Sequence, residues 1–352
     1  MKITRPVFGF FSYFCKFDQS SDSMKKITNI LFCSLLSALV LVACGGKTRP
    51  GDSNNVEILR YEQTLFDTPA DKLPDALRKF QTEYSSPLLN IYPDNEQFVS
   101  QIADFTSDAT VRDIYDITQK RYGDLHWLEK ELSAALKKAR SLYGEFDFDQ
   151  FATFVSATFD YSQRILAHPE SKSILVSIDQ YALGSMEKYS WFGLPMYLVE
   201  LSDSAYLASD IMAEAARQLI AMPNEETTTM LDLMVAEGKV LYFLDQVMPR
   251  KDDIIKIRYS QEQMDWMKKN ESNVWAYYIQ NELLYERDFN RYHNFVDEAP
   301  KTNAFKDSAP RTAHYIGWQI VRKYMENSKS TIEELFNNTN SQSILQESKY
   351  KP

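Results

Sequence analysis

Leu125, Leu128, Leu132, Ala135, Leu136, Ala139 and Leu142 recur every three or four residues. That spacing lays one apolar stripe along a helix. Similar stripes run through residues 204–220, 228–247, 261–284 and 310–325. Pro310 suits the start of the last, where a missing backbone N–H costs nothing. Two stretches break the helical period. Residues 151–159 are rich in β-branched and aromatic side chains, and 172–179 alternate, with Ile174, Val176 and Ile178 on one face. Both read as strands. Helices, then strands, then helices predict an α+β fold, predominantly helical, with a small central sheet and long helices.

The N-terminal pattern is different. Residues 27–43 (ITNILFCSLLSALVLVA) form an apolar run behind Lys25 and Lys26, the arrangement of a secretory signal. With Thr28, Asn29, Ser34 and Ser37 inside it, the run is short for a bilayer span. It ends Leu41-Val42-Ala43-Cys44, followed by two glycines. This resembles a bacterial lipobox, which makes Cys44 the predicted lipidated N-terminus of the mature chain. Met24-Lys25-Lys26 is a more natural start than Met1. Residues 1–43 therefore read as a signal region and 44–55 as a polar, turn-rich tether. From residue 56 to 352 no linker, repeat or low-complexity tract interrupts the pattern, so one domain is expected.

Composition narrows the classes. Glycine occurs only 10 times in 352 residues, well under the usual share of about 7%, which disfavours turn-dense all-β folds. The chain carries a net charge of −10. Cleavage before Cys44 would remove five basic and two acidic side chains and take the charge to −13. Nucleic acid is thereby excluded as a partner, and membrane contact is assigned to the N-terminal lipid. The three cysteines are Cys15, Cys33 and Cys44, so the mature body has no disulfide and no thiol nucleophile.

No standard catalytic motif is present. His126, His168, His293 and His314 are scattered, with no two within five residues, so no H-E-x-x-H exists and each reads as a surface or core histidine. G-x-S-x-G and P-loop patterns are also missing. No catalytic residue, metal ligand or cofactor is predicted. Asp203-Ser204-Ala205 and Asp307-Ser308-Ala309 resemble a short bacterial O-glycosylation pattern.

Several strings together resemble one family. They are SIDQYALG at 177–184, AEGK at 236–239 with Leu241-Tyr242 and Met248-Pro249 after it, and Trp266 with Asn270-Glu271 and Trp275. PRTAHYIGWQIVRKYM at 310–325 and the closing SKYKP complete the set. The chain resembles the gliding-motility-associated lipoprotein GldB family. The resemblance implies an envelope lipoprotein, with partners among envelope proteins of the gliding or secretion machinery. Combined with Gly45 after the lipid site, it suggests the outer membrane, facing the periplasm.

That family is similar, more remotely, to zincin-type metallopeptidases, which implies a zincin-like fold. A gluzincin needs two histidines one helical turn apart, a glutamate beside the first, and a carboxylate ligand from the next helix. Here Ala213-Glu214-Ala215-Ala216-Arg217 stands at the first position and Glu237 at the second. Ala213 cannot bind a metal, and Arg217 is a permanent cation that would repel one. The mapping implies a degenerate cleft of Glu214, Arg217 and Glu237, with Arg217 and Glu237 as a buried ion pair. Asp179 either caps the segment after it or lines a groove. Trp266 and Trp275, nine residues apart, point in opposite directions on one helix, so one of them faces a cleft or partner. Arg311 is a candidate to hold a carboxylate. The expected function is a non-catalytic binding or assembly lipoprotein. The alternatives are a purely structural envelope lipoprotein and a zinc-independent hydrolase built on Glu214, Glu237 or Asp179.

Overall fold

A computed structural model describes residues 55–158, 161–185 and 194–352. The signal region, Met24, Cys44 and the tether up to residue 54 lie outside the described residues. The chain opens with strand β1 (Ile58–Arg60) and helices α1 (Tyr61–Phe66), α2 (Leu73–Glu83), α3 (Glu96–Ser107), α4 (Ala109–Tyr122) and α5 (His126–Leu142). Strands β2 (Gln150–Phe154), β3 (Ile165–His168) and β4 (Ser173–Ser177) follow. The rest of the described chain is helical: α6 (Met196–Glu200), α7 (Ser204–Arg217), α8 (Met230–Val247), α9 (Asp253–Ile257), α10 (Gln261–Gln280), α11 (Phe289–Val296), α12 (Thr312–Ser328), α13 (Ile332–Asn337) and α14 (Ser341–Ser348). The fold is mostly helical with one small mixed sheet, an α+β arrangement.

The sheet order is β1-β2-β4-β3. β1, β2 and β4 are parallel, and β3 returns antiparallel along β4, pairing Ile165 with Val176 and His168 with Ser173. The alternation at 172–179 puts Ile174, Val176 and Ile178 on one face. All five residues of β4 are nonetheless buried, because α7 packs against β3 and β4 while α1 packs against β2. A strand covered on both faces loses the selection for alternation. The expected strand at 172–179 also stops at Ser177, and Ile178–Tyr181 winds into a 3-10 turn.

β1 has no periodicity to betray it. Three residues are held by pairing to β2 and by Arg60, whose guanidinium donates to the Tyr122 carbonyl at 2.7 Å and bridges Glu62 at 2.7 Å. Glu62 is fully buried and also accepts from the Thr153 hydroxyl at 2.9 Å. This polar knot joins β1 and the start of α1 to strand β2.

The two helices that carry the strongest family strings, α8 and α12, pack along much of their length. Their backbones meet at a pair of glycines. A Cβ on Gly317 would stand 1.8 Å from the Met234 carbonyl oxygen, and one on Gly238 would stand 2.3 Å from that of Gly317. No side chain fits in that space. Trp318 is fully buried beside the crossing, and its indole donates to Asp245 at 2.9 Å. α8 starts at a capping box of Thr229 and Asp232, which satisfies the free N–H groups of its first turn. α12 begins at Thr312, two residues after Pro310, with Arg311 in the left-handed region at φ 43°. The Pro310 carbonyl accepts from the buried Tyr259 hydroxyl at 2.7 Å.

Candidate functional site

α7 builds one wall of the site. Its N-cap Asp203 accepts from the Ala205 N–H at 2.9 Å. From there Asp210, Glu214 and Arg217 follow at intervals of four and three, so one helical face carries all three charges. That face borders a cavity of about 220 Å³, together with Tyr161, Arg164, Ile165, Arg258, Glu298 and Arg311. Edge strand β3 and the residues leading into it form the opposite wall. Arg258 ends α9, and Glu298 and Arg311 flank the loop before α12.

Asp210 is the hub of the inner end. Its Oδ2 accepts from the Tyr181 hydroxyl at 2.8 Å and from Arg258, and it pairs with Arg164 Nη2 at 3.1 Å. Burial alone would raise this carboxyl, but Arg258 and Arg164 more than offset it and hold the group below the usual carboxylate range. Arg258 adopts the left-handed region at φ 62°. It donates to the Leu201 carbonyl at 2.6 Å and to the Tyr161 hydroxyl. Arg164 lies over the Tyr161 ring at 4.1 Å. Arg311 donates to the Ile257 carbonyl at 2.8 Å, and its Nε stands 3.4 Å from Glu298.

Arg217 organises the outer end. Nε and Nη2 fork onto the two oxygens of Glu237 at 2.7 and 3.0 Å, while Nη1 reaches Glu214 at 3.3 Å. The Gln218 side chain donates to Glu214 at 2.9 Å. The glycine crossing brings His314 of α12 beside Glu237 of α8, with Nδ1 and Oε2 3.8 Å apart. Burial raises the Glu237 carboxyl, yet Arg217 and His314 outweigh it and bring it to about 2. For His314, burial dominates, Arg311 and Arg217 add to it, and Glu237 opposes; the result is about 4. The imidazole is therefore neutral at neutral pH.

The Arg217–Glu237 pair is less buried than expected. The arginine side chain is 41% exposed, and the glutamate 20%. Water reaches one flank, because Arg217 closes α7 and projects past its last turn.

The remaining candidates sit elsewhere. Asp179 is 3% exposed and is not among the residues lining this cavity. Its carboxylate accepts from the backbone N–H groups of Ser156 and Ala157 at 3.1 and 3.0 Å, and from the Ser177 hydroxyl at 2.8 Å. It pins the turn after β2 to the end of β4. Burial raises this carboxyl against those bonds. Trp266 and Trp275 take different neighbours, as their spacing requires. Trp266 packs near Phe305 at 5.8 Å, and Trp275 meets Tyr350 edge-on at 5.2 Å. Both are partly buried packing residues. Tyr350 of the closing SKYKP string also donates to Glu271 at 2.7 Å. Lys239 of the AEGK string points away from the cavity, donating to the Asn338 carbonyl at 2.7 Å, and burial lowers its ammonium to about 8. Ser308 is buried with its hydroxyl on the Thr302 carbonyl, so it cannot take a glycan.

Residues 48–352 match the family described as gliding motility protein GldB. The chain belongs to the GldB family. In this family member the matched span includes every residue of the cavity. No curated protein matches the chain, and no solved structure does. Among the described residues no group of three or more His, Cys, Asp or Glu could hold a metal, and no helix is long and apolar enough to cross a membrane.

Asp210, Arg164, Arg258, Glu298 and His314 were not singled out in the sequence as site residues. Asp210 had a legible signal, since it lies one turn before Glu214 on an otherwise apolar helix. Arg164, Arg258 and Glu298 lie in connections, where no periodicity marks an inward-facing charge.

Proposed function

We propose that this GldB family member is an envelope lipoprotein, anchored through an acyl group on Cys44, whose cavity binds a partner of the gliding or secretion machinery without catalysis. The observation that carries this reading is the fork of Arg217 on Glu237. Both oxygens of the carboxylate best placed for acid–base work are committed to one guanidinium. The acid is ionised down to about pH 2, so it has no proton to donate near neutrality. Its neighbour His314 is held neutral and largely buried. What the cavity presents is fixed charge and hydrogen-bond donors.

We also read the cavity as a degenerate zincin cleft. An antiparallel edge strand beside the Glu214 helix, and Glu237 twenty residues beyond Arg217 on the next helix, support it. In that arrangement Arg217 occupies the place of a metal ligand and its charge replaces the metal's. We assign the protein to the outer membrane, with the body in the periplasm.

Photo-crosslinking from position 298, in the cavity wall, in intact cells tests the binding role. The expected product is one dominant adduct with an envelope protein, lost when Arg217 is changed to Ala. A cell-wide spread of adducts, or none, would overturn the reading. Zinc analysis and a peptidase assay on the purified lipoprotein test the lack of catalysis. Stoichiometric zinc, abolished by Glu237→Ala together with peptidase activity, would refute it.

A further inference from the structure

The ion pairs around the cavity do not balance evenly. At the outer end one cation, Arg217, serves two carboxylates, Glu214 and Glu237. In the middle Arg311 and Glu298 face each other one to one. At the inner end a single carboxylate, Asp210, serves two guanidinium groups, Arg164 and Arg258. Among the described residues the inner end therefore holds one uncompensated positive charge, in a place where water is scarce.

Unmade hydrogen bonds fall at the same place. Arg164 Nη1 and Arg258 Nε are buried and have no partner among the described residues. Arg311 Nε and Glu298 Oε1 are also unbonded, but they stand 3.4 Å apart and a small shift pairs them. Arg164 and Arg258 have no such recourse, because Asp210 is already taken up by both of them and by Tyr181. Leaving a charged donor buried without an acceptor is costly, so such groups in folded proteins mark an absent bonding partner. The Arg258 side chain is only 7% exposed, and both residues line the cavity.

We propose that the inner end of this cavity is a binding site for a compact oxyanion, a carboxylate or phosphate group, held between Arg164 and Arg258. A guanidinium offers paired N–H groups in a plane that matches such oxygens. The volume of about 220 Å³ is several times that of a water molecule, but below that of a pocket for a drug-sized ligand. It accommodates the anionic group on a short organic stem, with Tyr161 and Ile165 beside the stem. Asp210 holds the two guanidinium groups in place, and Glu298 neutralises Arg311, so the anion meets only one surplus charge. The proposal deepens the binding reading above and rests on it only in taking the cavity as a ligand site.

The experiment is calorimetric titration of the full-length lipoprotein in detergent at low salt, with inorganic phosphate in one arm and succinate in the other. Saturable binding of at least one anion is expected, with Kd at or below about 1 mM. The arm that binds more tightly identifies the chemistry. Arg164→Gln should weaken binding at least tenfold, and Arg258→Lys, which keeps the charge but loses the planar donors, should do so as well. Arg78→Gln removes the same charge from an exposed ion pair far along the chain and should leave binding unchanged. Absence of saturable binding to the unaltered protein overturns the proposal, whatever the variants do. So does binding that falls equally with Arg78→Gln. If neither anion binds while a partner still cross-links at position 298, the oxyanion site fails and the binding role stands. If an anion binds as expected and no partner cross-links, the partner reading fails and the site stands.

Discussion

Glu237 is the residue whose surroundings can be tested most sharply. A carboxylate forked by a guanidinium, with that guanidinium 41% exposed, lies between two regimes. Exposed pairs contribute under about 1 kcal/mol, and breaking a fully buried pair costs about 3–5 kcal/mol. We expect Glu237→Ala to cost about 1–2 kcal/mol in denaturant unfolding. Combined with Arg217→Met, it should cost less than the sum of the single changes. Strict additivity would mean that the fork does not hold in solution. Titration gives an independent check. His314 falls from 6.5 to about 4 in the folded protein, and Glu237 from 4.5 to about 2. Both shifts mean that the unfolded chain binds protons first as the pH drops. Stability from His314 is complete above 6.5 and is lost on the way down to 4. Stability from Glu237 is complete above 4.5 and is lost towards 2. One proton gives a slope of about 1.4 kcal/mol per pH unit at its steepest. His314→Gln should flatten the unfolding curve between pH 6.5 and 4, and an unchanged slope there would exclude the histidine as its source.

Asp245 makes the opposite case, a charge whose role is packing. It accepts from Trp318, twice from Arg322 and once from Lys256. Lys256 is buried, and Asp245→Ala would leave it with Asp253 alone, at 3.2 Å, while the fully buried Trp318 indole loses its acceptor. A loss of about 2–4 kcal/mol is expected from the orphaned indole and the weakened cation pairing, larger than for Glu237 although no cavity is involved. A smaller loss than that of Glu237→Ala would show that this network is solvated.

Among the helices, the crossing of α8 and α12 decides the geometry of the site. It sets His314 beside Glu237 and leaves no room for a methyl group at either glycine. In an isolated helix Gly→Ala would stabilise by about 1 kcal/mol. At Gly317 the added Cβ would overlap the Met234 carbonyl, so the helices must part and Trp318 must leave its bed. We expect Gly317→Ala to destabilise by at least about 3 kcal/mol. Gly144, where an added Cβ meets nothing within 4 Å, is the control, and Gly144→Ala should stay within about 0.5 kcal/mol. Equal effects at the two positions would contradict the close crossing. The helix strings were legible because amphipathic spacing and caps act within a few residues. The stripe at 228–247 became α8 at Met230–Val247, and 261–284 became α10 with its capping box at Ser260 and Gln263. β1 and β3 were not legible, because strands of three and four residues owe their existence to the partner beside them.

For the whole molecule, Cys44→Ser should move the protein from the membrane to the soluble fraction or block its processing. An unprocessed Cys44→Ser protein that retains full function would exclude the lipid anchor. The acidic body gives no second means of holding an anionic membrane.

The family and the helical character were legible in the sequence, whereas the pairing of Arg217 with Glu237 was implied only by the remote zincin resemblance. They depend on local spacing, and on helices long enough to announce themselves. The cavity was not. Its wall includes residues at 164, 210, 258, 298 and 311, drawn from one helix and several connections. Two of those positions, 258 and 311, hold left-handed backbone without glycine. Nothing in a local window shows that such an arginine turns inward, or that two of them will share one aspartate. That is a balance of charges across elements, and only the packing of α7 against the edge strand and the α12 loop brings those charges together.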